Sequence, residues 1–239
     1  MIFAAGRGTR LGELGERTPK ALLEVGGRTM LERVADRLLA AGATRLVVNV
    51  HHHAAAIERF LAEHPPRAEV RVSREEAAPL ETGGGLLHAR ALFRGDRPVL
   101  AHNVDVLLDA DLAPLVAAHA AGGALATLAV QARETQRYLL FDDDGLLGRE
   151  NRKSGERTEV RAPRGPVRAL AFAGVHVFEP RLLALIEERG VFPVVGVWLR
   201  LAAAGHAIRP WLVPEGAWFE IGTPERLAAV RARFAAPGA

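Results

Sequence analysis

The chain has 239 residues, of which 49% are apolar and 25% charged, so a sizeable core is available and wholesale disorder is excluded. Cysteine is absent, which excludes disulfides, thiolate metal sites and a cysteine nucleophile. The formal charge is only +3, and the arginines are scattered without a basic run or interleaved aromatics, which argues against nucleic acid as a partner.

Residues 1–5, MIFAA, read as a short buried strand, with neither a basic n-region nor an apolar h-region. No signal peptide is expected, and a cytoplasmic protein is the default. Residues 29–42 set Leu31, Val34, Leu38 and Leu39 on one helical face and end at a glycine, which predicts a helix. A β-branched strand at 45–50, a helix at 53–64, a strand at 69–73, a helix at 84–93 and a strand at 98–104 follow. That alternation needs crossover connections, hence a mainly parallel sheet covered by helices. The longest apolar tract, 112–130, contains Pro114, His119 and Gly122-Gly123 and reads as helix, turn and strand, not as a membrane span.

Beyond residue 120 the rhythm changes. Strands are expected at 124–131, 137–142 and 170–178, with DDDG at 142–145 as a turn. Helices at 180–190 and 194–205, a strand at 208–213, the segment 216–223 and a last helix complete the chain. Thr223 suits the N-cap of that helix, Pro224 its first position and Glu225 its first turn. No internal repeat or linker is visible, and only 236–239 look loose. The expected architecture is α/β: a single Rossmann-like domain over 1–239 with a mainly parallel, mixed sheet and helices on both faces.

In open α/β sheets ligands bind at the carboxyl ends of parallel strands. The unusual residues fall there: GRGTR follows the first strand, ETGGG the third, and NVD ends the fourth. Glycines at 6, 8 and 12 miss G-x-G-x-x-G, and no G-K-[ST] closes a Walker sequence. What remains is a glycine-rich turn whose N–H groups can face an anion, with Arg7, Arg10, Arg17 and Lys20 nearby. Lys20 and Lys153 are the only lysines in a chain with 31 basic residues, so a compact ammonium has persisted at two places.

GRGTRL followed by TPK resembles the signature of sugar-1-phosphate nucleotidyltransferases, and the likeness continues through LETGGG (80–85), HNVD (102–105), FAGVHVFEP (172–180) and WFEIGTPE (218–225). The LETGGG form and compact length look most like N-acetylmuramate-1-phosphate uridylyltransferases, with mannose-1-phosphate guanylyltransferases close behind. The resemblance implies a fold of the nucleotide-diphospho-sugar transferase type. It also implies a Mg2+-dependent reaction that joins a nucleoside triphosphate to a sugar 1-phosphate and releases pyrophosphate. The nucleotide-binding half would be 1–120 and the sugar-phosphate half 121–235.

Two polyanions must meet in such a site, and a pair of unit charges at 4 Å repels by about 4 kcal/mol at an effective dielectric of 20. Cations and donors aimed at the leaving group are therefore required. By resemblance, Arg10 stabilises the pyrophosphate, and Lys20 lies between the α-phosphate and the sugar phosphate. Ala5, Gly6, Gly8, Thr9, Glu81, Gly83, Gly84 and Asn103 would hold the nucleotide, and Asn151, Lys153 and Gly174 the sugar phosphate. Asp105 and Glu220 match the metal carboxylates. Two departures stand out: Val104 precedes Asp105 where the family usually has glycine, and Glu220 replaces an aspartate in W-x-D. A glutamate, one methylene longer, must reach back or act through a water.

Other readings stay open. A nucleotide-sugar sensor would keep the pocket without chemistry, and a related transferase would use a non-sugar acceptor. His51-His52-His53 reads as one buried and two solvated side chains, Asp142-Asp143-Asp144 as a hairpin turn, and Trp198 and Trp211 as packing residues.

Overall fold

The computed structural model describes residues 1–95 and 97–235; the tail at 236–239 lies outside them. In chain order, β1 (Ile2–Phe3) leads through a 3-10 turn at Thr9–Leu11 to the short α1 (Glu13–Arg17), a hairpin of β2 (Glu24–Val25) and β3 (Arg28–Thr29), and α2 (Met30–Ala40). Next come β4 (Arg45–Val50), α3 (Ala54–Glu63), β5 (Glu69–Arg74), α4 (Glu81–His88), β6 (Val99–Asn103), β7 (Val106–Leu108) and α5 (Ala113–Gly122). The second half holds β8 (Ala126–Gln131), β9 (Arg137–Asp142), β10 (Gly145–Asn151), β11 (Glu156–Glu159), β12 (Arg168–Phe178), α6 (Val194–Ala203), β13 (Ile208–Leu212), β14 (Trp218–Glu220) and α7 (Pro224–Arg233).

Local chemistry sets the helix starts. Thr29 and Glu32 form a reciprocal capping box on α2, each bonding the other's backbone N–H. Thr223 Oγ1 accepts from Arg226 N and Pro224 occupies the first turn of α7, as the sequence predicts.

The main sheet runs β11-β10-β9-β12-β6-β1-β4-β5, with β8 paired to β12 and β13 to β8. β5, β4, β1 and β6 are mutually parallel, whereas β12 enters antiparallel beside β6. Alternation along β4 sends Leu46, Val48 and Val50 to one core and Val47 to the other. The first core packs α2, α3 and α7 through Leu38, Ile57 and Leu227; the second packs α4 and α6 through Leu86 and Trp198. The sheet is thus mixed, mainly parallel in its first half, and covered on both faces.

Two expectations need correction. The helix expected at 180–190 is a 3-10 run over Pro180–Leu185 only. Arg200 ends it: its Nη2 donates to Leu185 O at 2.9 Å and its guanidinium pairs with Glu188, holding the chain open beyond residue 185. ETGGG is not a loop but the first turns of α4, which begins at Glu81, three residues before the expected start.

Candidate active site

In sequence order the parallel strands run third, second, first, fourth across the sheet, so β1 and β6 flank the point where the strand order reverses. A crevice opens there beyond the strand ends. β1 delivers the signature loop to it, and β6 delivers Asn103 and the Val104-Asp105 turn. Ala4 N donates to Asn49 Oδ1 at 2.8 Å, which ties the start of the loop to β4. Val104 N donates to Phe3 O at 3.0 Å, which holds the turn that carries Asp105 against the end of β1.

The loop then folds back on α1. Gly8 has φ +69°, and a Cβ on Gly15 would collide with Gly8 O, so both positions demand glycine. This close approach seats Lys20 alongside: a Cβ on Gly8 would lie 3.7 Å from Lys20 Cγ. Lys20 Nζ donates to Asp105 Oδ2 at 2.7 Å, and the two side chains are only 12% and 21% exposed.

Asp105 and Glu220 are 115 positions apart in sequence but neighbours in space. β14 pairs antiparallel with β7, which sets Glu220 opposite Val106, and Ile221 N donates to Asp105 O at 3.0 Å. Glu220 Oε1 accepts from Arg10 Nη2 at 2.9 Å, and Oε2 is held by Arg226 Nη1.

Two clefts open at this junction. One, of about 240 Å³, is lined by Ala5, Gly6, Lys20, Glu81, Asn103 and Asp105. The other, of about 810 Å³, is lined by Arg10, Arg133, Arg137, Arg152, Glu220 and Arg226. Glu81 sits at the mouth of the first with φ +60°, a left-handed conformation that costs a non-glycine residue roughly 1–3 kcal/mol.

The remaining expected site residues are placed differently from one another. Gly174, at φ +79° in a bulge of β12, lies against β6: a Cβ would be 3.2 Å from Asn103 Nδ2. Thr9 is exposed on the 3-10 turn beside Arg10. Gly83 and Gly84 are buried, and both amides donate to Phe192 O, at 2.9 and 3.2 Å. They let α4 approach the 190–192 segment, and their N–H groups are engaged there by the chain itself. Asn151 and Lys153 line neither cleft: Asn151 ends β10, half-buried, and Lys153 lies in the exposed turn that follows, where its N donates to Asn151 Oδ1. The neighbouring Arg152, stacked 4.3 Å from the Tyr138 ring centroid, turns into the larger cleft instead.

Sequence reasoning missed Arg133, Arg152 and Arg226. Arg133 is half-buried and stacks 3.6 Å from the Trp218 ring centroid, while Trp218 Nε1 donates to Ala173 O. Burial pushes the Arg133 pKa down, although a guanidinium stays charged at neutral pH. Only the W-F-E and G-T-P-E-R spacing could have pointed at Arg226; in a chain this rich in arginine, rarity signals nothing.

The weaker motifs resolve as structure. Asp142 is buried at the β9–β10 hairpin and takes two bonds from Arg161 and one from Arg164 N. Trp198 is buried in the second core. The three histidines differ from the expected one-in, two-out pattern. All are half-buried, because His53 turns at φ +57° and packs its ring, tilted, against His52, and His51 Nδ1 bonds Glu75 O.

Among the described residues, no group of three or more His, Cys, Asp or Glu side chains could cage a metal. Magnesium does not require one, because it is usually held by one or two carboxylates with substrate phosphates and water. Asp105, a hard-oxygen donor on the wall of the smaller cleft beside an ammonium, fits that mode. No helix of the described residues is long and apolar enough to cross a membrane.

The model of the MobA-like NTP transferase domain matches residues 1–190, most of the chain and all of the first cleft. The chain belongs to this family. It is 34% identical over 240 residues to an N-acetylmuramate alpha-1-phosphate uridylyltransferase of Caulobacter vibrioides, covering 98% of this chain and 96% of that one. It is 29% identical to a mannose-1-phosphate guanyltransferase of Hypocrea jecorina, of which it spans 61%. Among solved structures, a Bacillus anthracis protein described as a putative glucose-1-phosphate thymidylyltransferase superposes with a TM-score of 0.81 at 17% identity, over 100% of this chain and 95% of that one. That likeness establishes the fold.

Proposed function

We propose that this MobA-like transferase joins a nucleoside triphosphate to a sugar 1-phosphate, giving a nucleoside diphosphate sugar and pyrophosphate. The observation that carries the reading is the Lys20–Asp105 contact at the strand-order reversal, where an ammonium and a metal-type carboxylate share one cleft wall. The two-way coverage of the Caulobacter vibrioides relative makes uridine triphosphate and N-acetylmuramate 1-phosphate the first substrates to test.

In this reading an oxygen of the sugar 1-phosphate attacks the α-phosphorus in line. The new P–O bond forms as the bond from that phosphorus to the bridging oxygen breaks, and pyrophosphate leaves with the electron pair. The smaller cleft, with Ala5, Gly6, Glu81 and Asn103, holds the nucleotide; Gly8 and Thr9 shape its phosphate loop. Lys20 bridges α-phosphate and acceptor as a compact charge that a planar guanidinium would not replace. Arg10 faces the leaving pyrophosphate. Mg2+, when bound, would rest on Asp105 and the phosphates and neutralise charge there. The larger cleft serves both remaining groups, on the two sides of the α-phosphorus: the acceptor lies by Arg133 and Arg152, in place of Lys153, and the leaving pyrophosphate lies by Arg10. Nucleoside triphosphates are cytoplasmic metabolites, consistent with a cytoplasmic enzyme.

The test is pyrophosphate release from four nucleoside triphosphates against a panel of sugar 1-phosphates, with phosphorylated alcohols as control acceptors. Turnover with uridine triphosphate and N-acetylmuramate 1-phosphate supports the reading. Turnover with guanosine triphosphate and mannose 1-phosphate moves it to the second relative's chemistry, and nucleotide binding without turnover by any pair refutes it.

A further inference from the structure

Glu220 is a carboxylate with both oxygens already engaged. Arg10 Nη2 donates to Oε1 at 2.9 Å, and Arg226 Nη1 holds Oε2. The Glu220 side chain is only 14% exposed, whereas the two arginines project into the larger cleft. Gly222 leaves room for the arrangement: the ends of the Glu220 and Arg10 side chains lie where a Cβ would stand, 2.7 Å from Arg10 Nη2.

Each arginine comes from a different part of the chain, Arg10 from the signature loop and Arg226 from the first turns of α7. Glu220, on β14, joins them across the cleft rim. A guanidinium that swings freely presents its charge in many directions; one anchored through an Nη leaves its remaining donors aimed one way. A charge-assisted bond is among the stronger constraints a side chain can have.

We propose that Glu220 is a positioning residue that clamps Arg10 and Arg226 into one anion-binding fork, and that it is not a metal ligand. The fork takes a diphosphate-type anion across its two guanidinium groups, and the metal is left to Asp105 without a second protein carboxylate. The extra methylene of glutamate has a purpose here, since it lets one carboxylate reach two arginines. This inference rests on the function proposed above in identifying that anion as the leaving pyrophosphate.

Two measurements on the full chain test it. The first titrates inorganic pyrophosphate calorimetrically in EDTA, so that no metal contributes. Loss of one anchoring bond to a charged group corresponds to about tenfold in affinity, so Glu220→Gln and Glu220→Asp should each weaken binding by about that much relative to wild type. Arg10→Ala should do the same, and adding Glu220→Gln to Arg10→Ala should cost less than its effect alone, because the two act through one contact. Unchanged or tighter binding in Glu220→Gln, which would follow if the carboxylate merely neutralised the arginines, overturns the clamp, as does a wild type that binds no pyrophosphate without metal.

The second measurement follows free Mn2+ by electron paramagnetic resonance with uridine triphosphate present. Glu220→Gln should keep the wild-type Mn2+ affinity within about twofold, since a lost inner ligand typically costs more than tenfold; a loss as large as that of Asp105→Asn would make Glu220 a ligand. Should the clamp behave as expected while no sugar 1-phosphate is turned over, the functional reading fails and the clamp stands.

Discussion

Lys20 Nζ lies 2.7 Å from Asp105 Oδ2, and this pair joins the loop after β1 to the turn after β6. Both groups are partly buried, so solvent screens them less than the arginine pairs around them. In the ligand-free chain they neutralise each other. A triphosphate entering with its metal would give each a new partner, with the ammonium taking phosphate oxygen and the carboxylate taking the ion.

Removing the ammonium tests that exchange. Lys20→Ala should lower turnover at least about a hundredfold, the lower end for loss of one electrostatic donor. Lys20→Arg should recover little of it, because the space beside Gly8 suits a narrow methylene stem and a point charge. Pyrophosphate release measures both, with circular dichroism as the folding control.

Asp142 offers the contrast of a carboxylate that supports structure alone. Arg161 holds its pKa well below the usual carboxylate range, and the Arg164 and Asp144 N–H groups assist. Asp142→Ala would empty a buried position and strip the half-buried Arg161 of its carboxylate, leaving it backbone carbonyls, and should destabilise the fold by about 3 kcal/mol, the lower end for breaking a buried pair. Urea unfolding should register that loss, while the nucleotide affinity of the folded fraction stays unchanged.

Two buried histidines set an acid limit. Burial pushes the pKa of His102 down to about 4 and that of His176 down to about 3, from an ordinary value near 6.5. Below about 6.5 the unfolded chain takes up protons that the folded chain refuses, so stability is full above that pH and declines as pH falls toward 4. Each histidine contributes up to roughly 1.4 kcal/mol per pH unit in that window. Denaturant midpoints at pH 7.5, 6 and 5 should fall in that order, and His176→Phe should flatten the decline.

Glycines behind the site are predicted to resist substitution for reasons of volume. A Cβ on Gly83 would lie 2.5 Å from the Phe192 ring and 2.9 Å from its carbonyl oxygen. The helix-propensity gain of Gly83→Ala, about 1 kcal/mol, is opposed by overpacking of typically 1–3 kcal/mol. The net result should be a lower melting temperature, whereas Gly122→Ala, with open space around it, should not fall.

Much of this was legible in the sequence, for identifiable reasons. Parallel strands announce themselves as short β-branched runs, and Thr223-Pro224 announces the start of α7. The first cleft was legible because its residues follow strand ends directly. The helix expected after Pro180 was not, because Arg200, fifteen residues beyond Leu185, captures that carbonyl. Rarity drew attention to Lys153, which lies outside both clefts, while arginines line the larger one; whether a given arginine matters depends on which aromatic ring or carboxylate lies beneath it. Gly83 and Gly84 looked like ligand-facing glycines, and only the position of Phe192 shows what their missing side chains make room for.

The most direct test of the central claim is a crystal structure with Mg2+ and a non-hydrolysable uridine triphosphate analogue. The account predicts the α-phosphate within about 3 Å of Lys20 Nζ, the ion on Asp105 and the Lys20–Asp105 contact broken. A nucleotide seated elsewhere, with that contact intact, would contradict it.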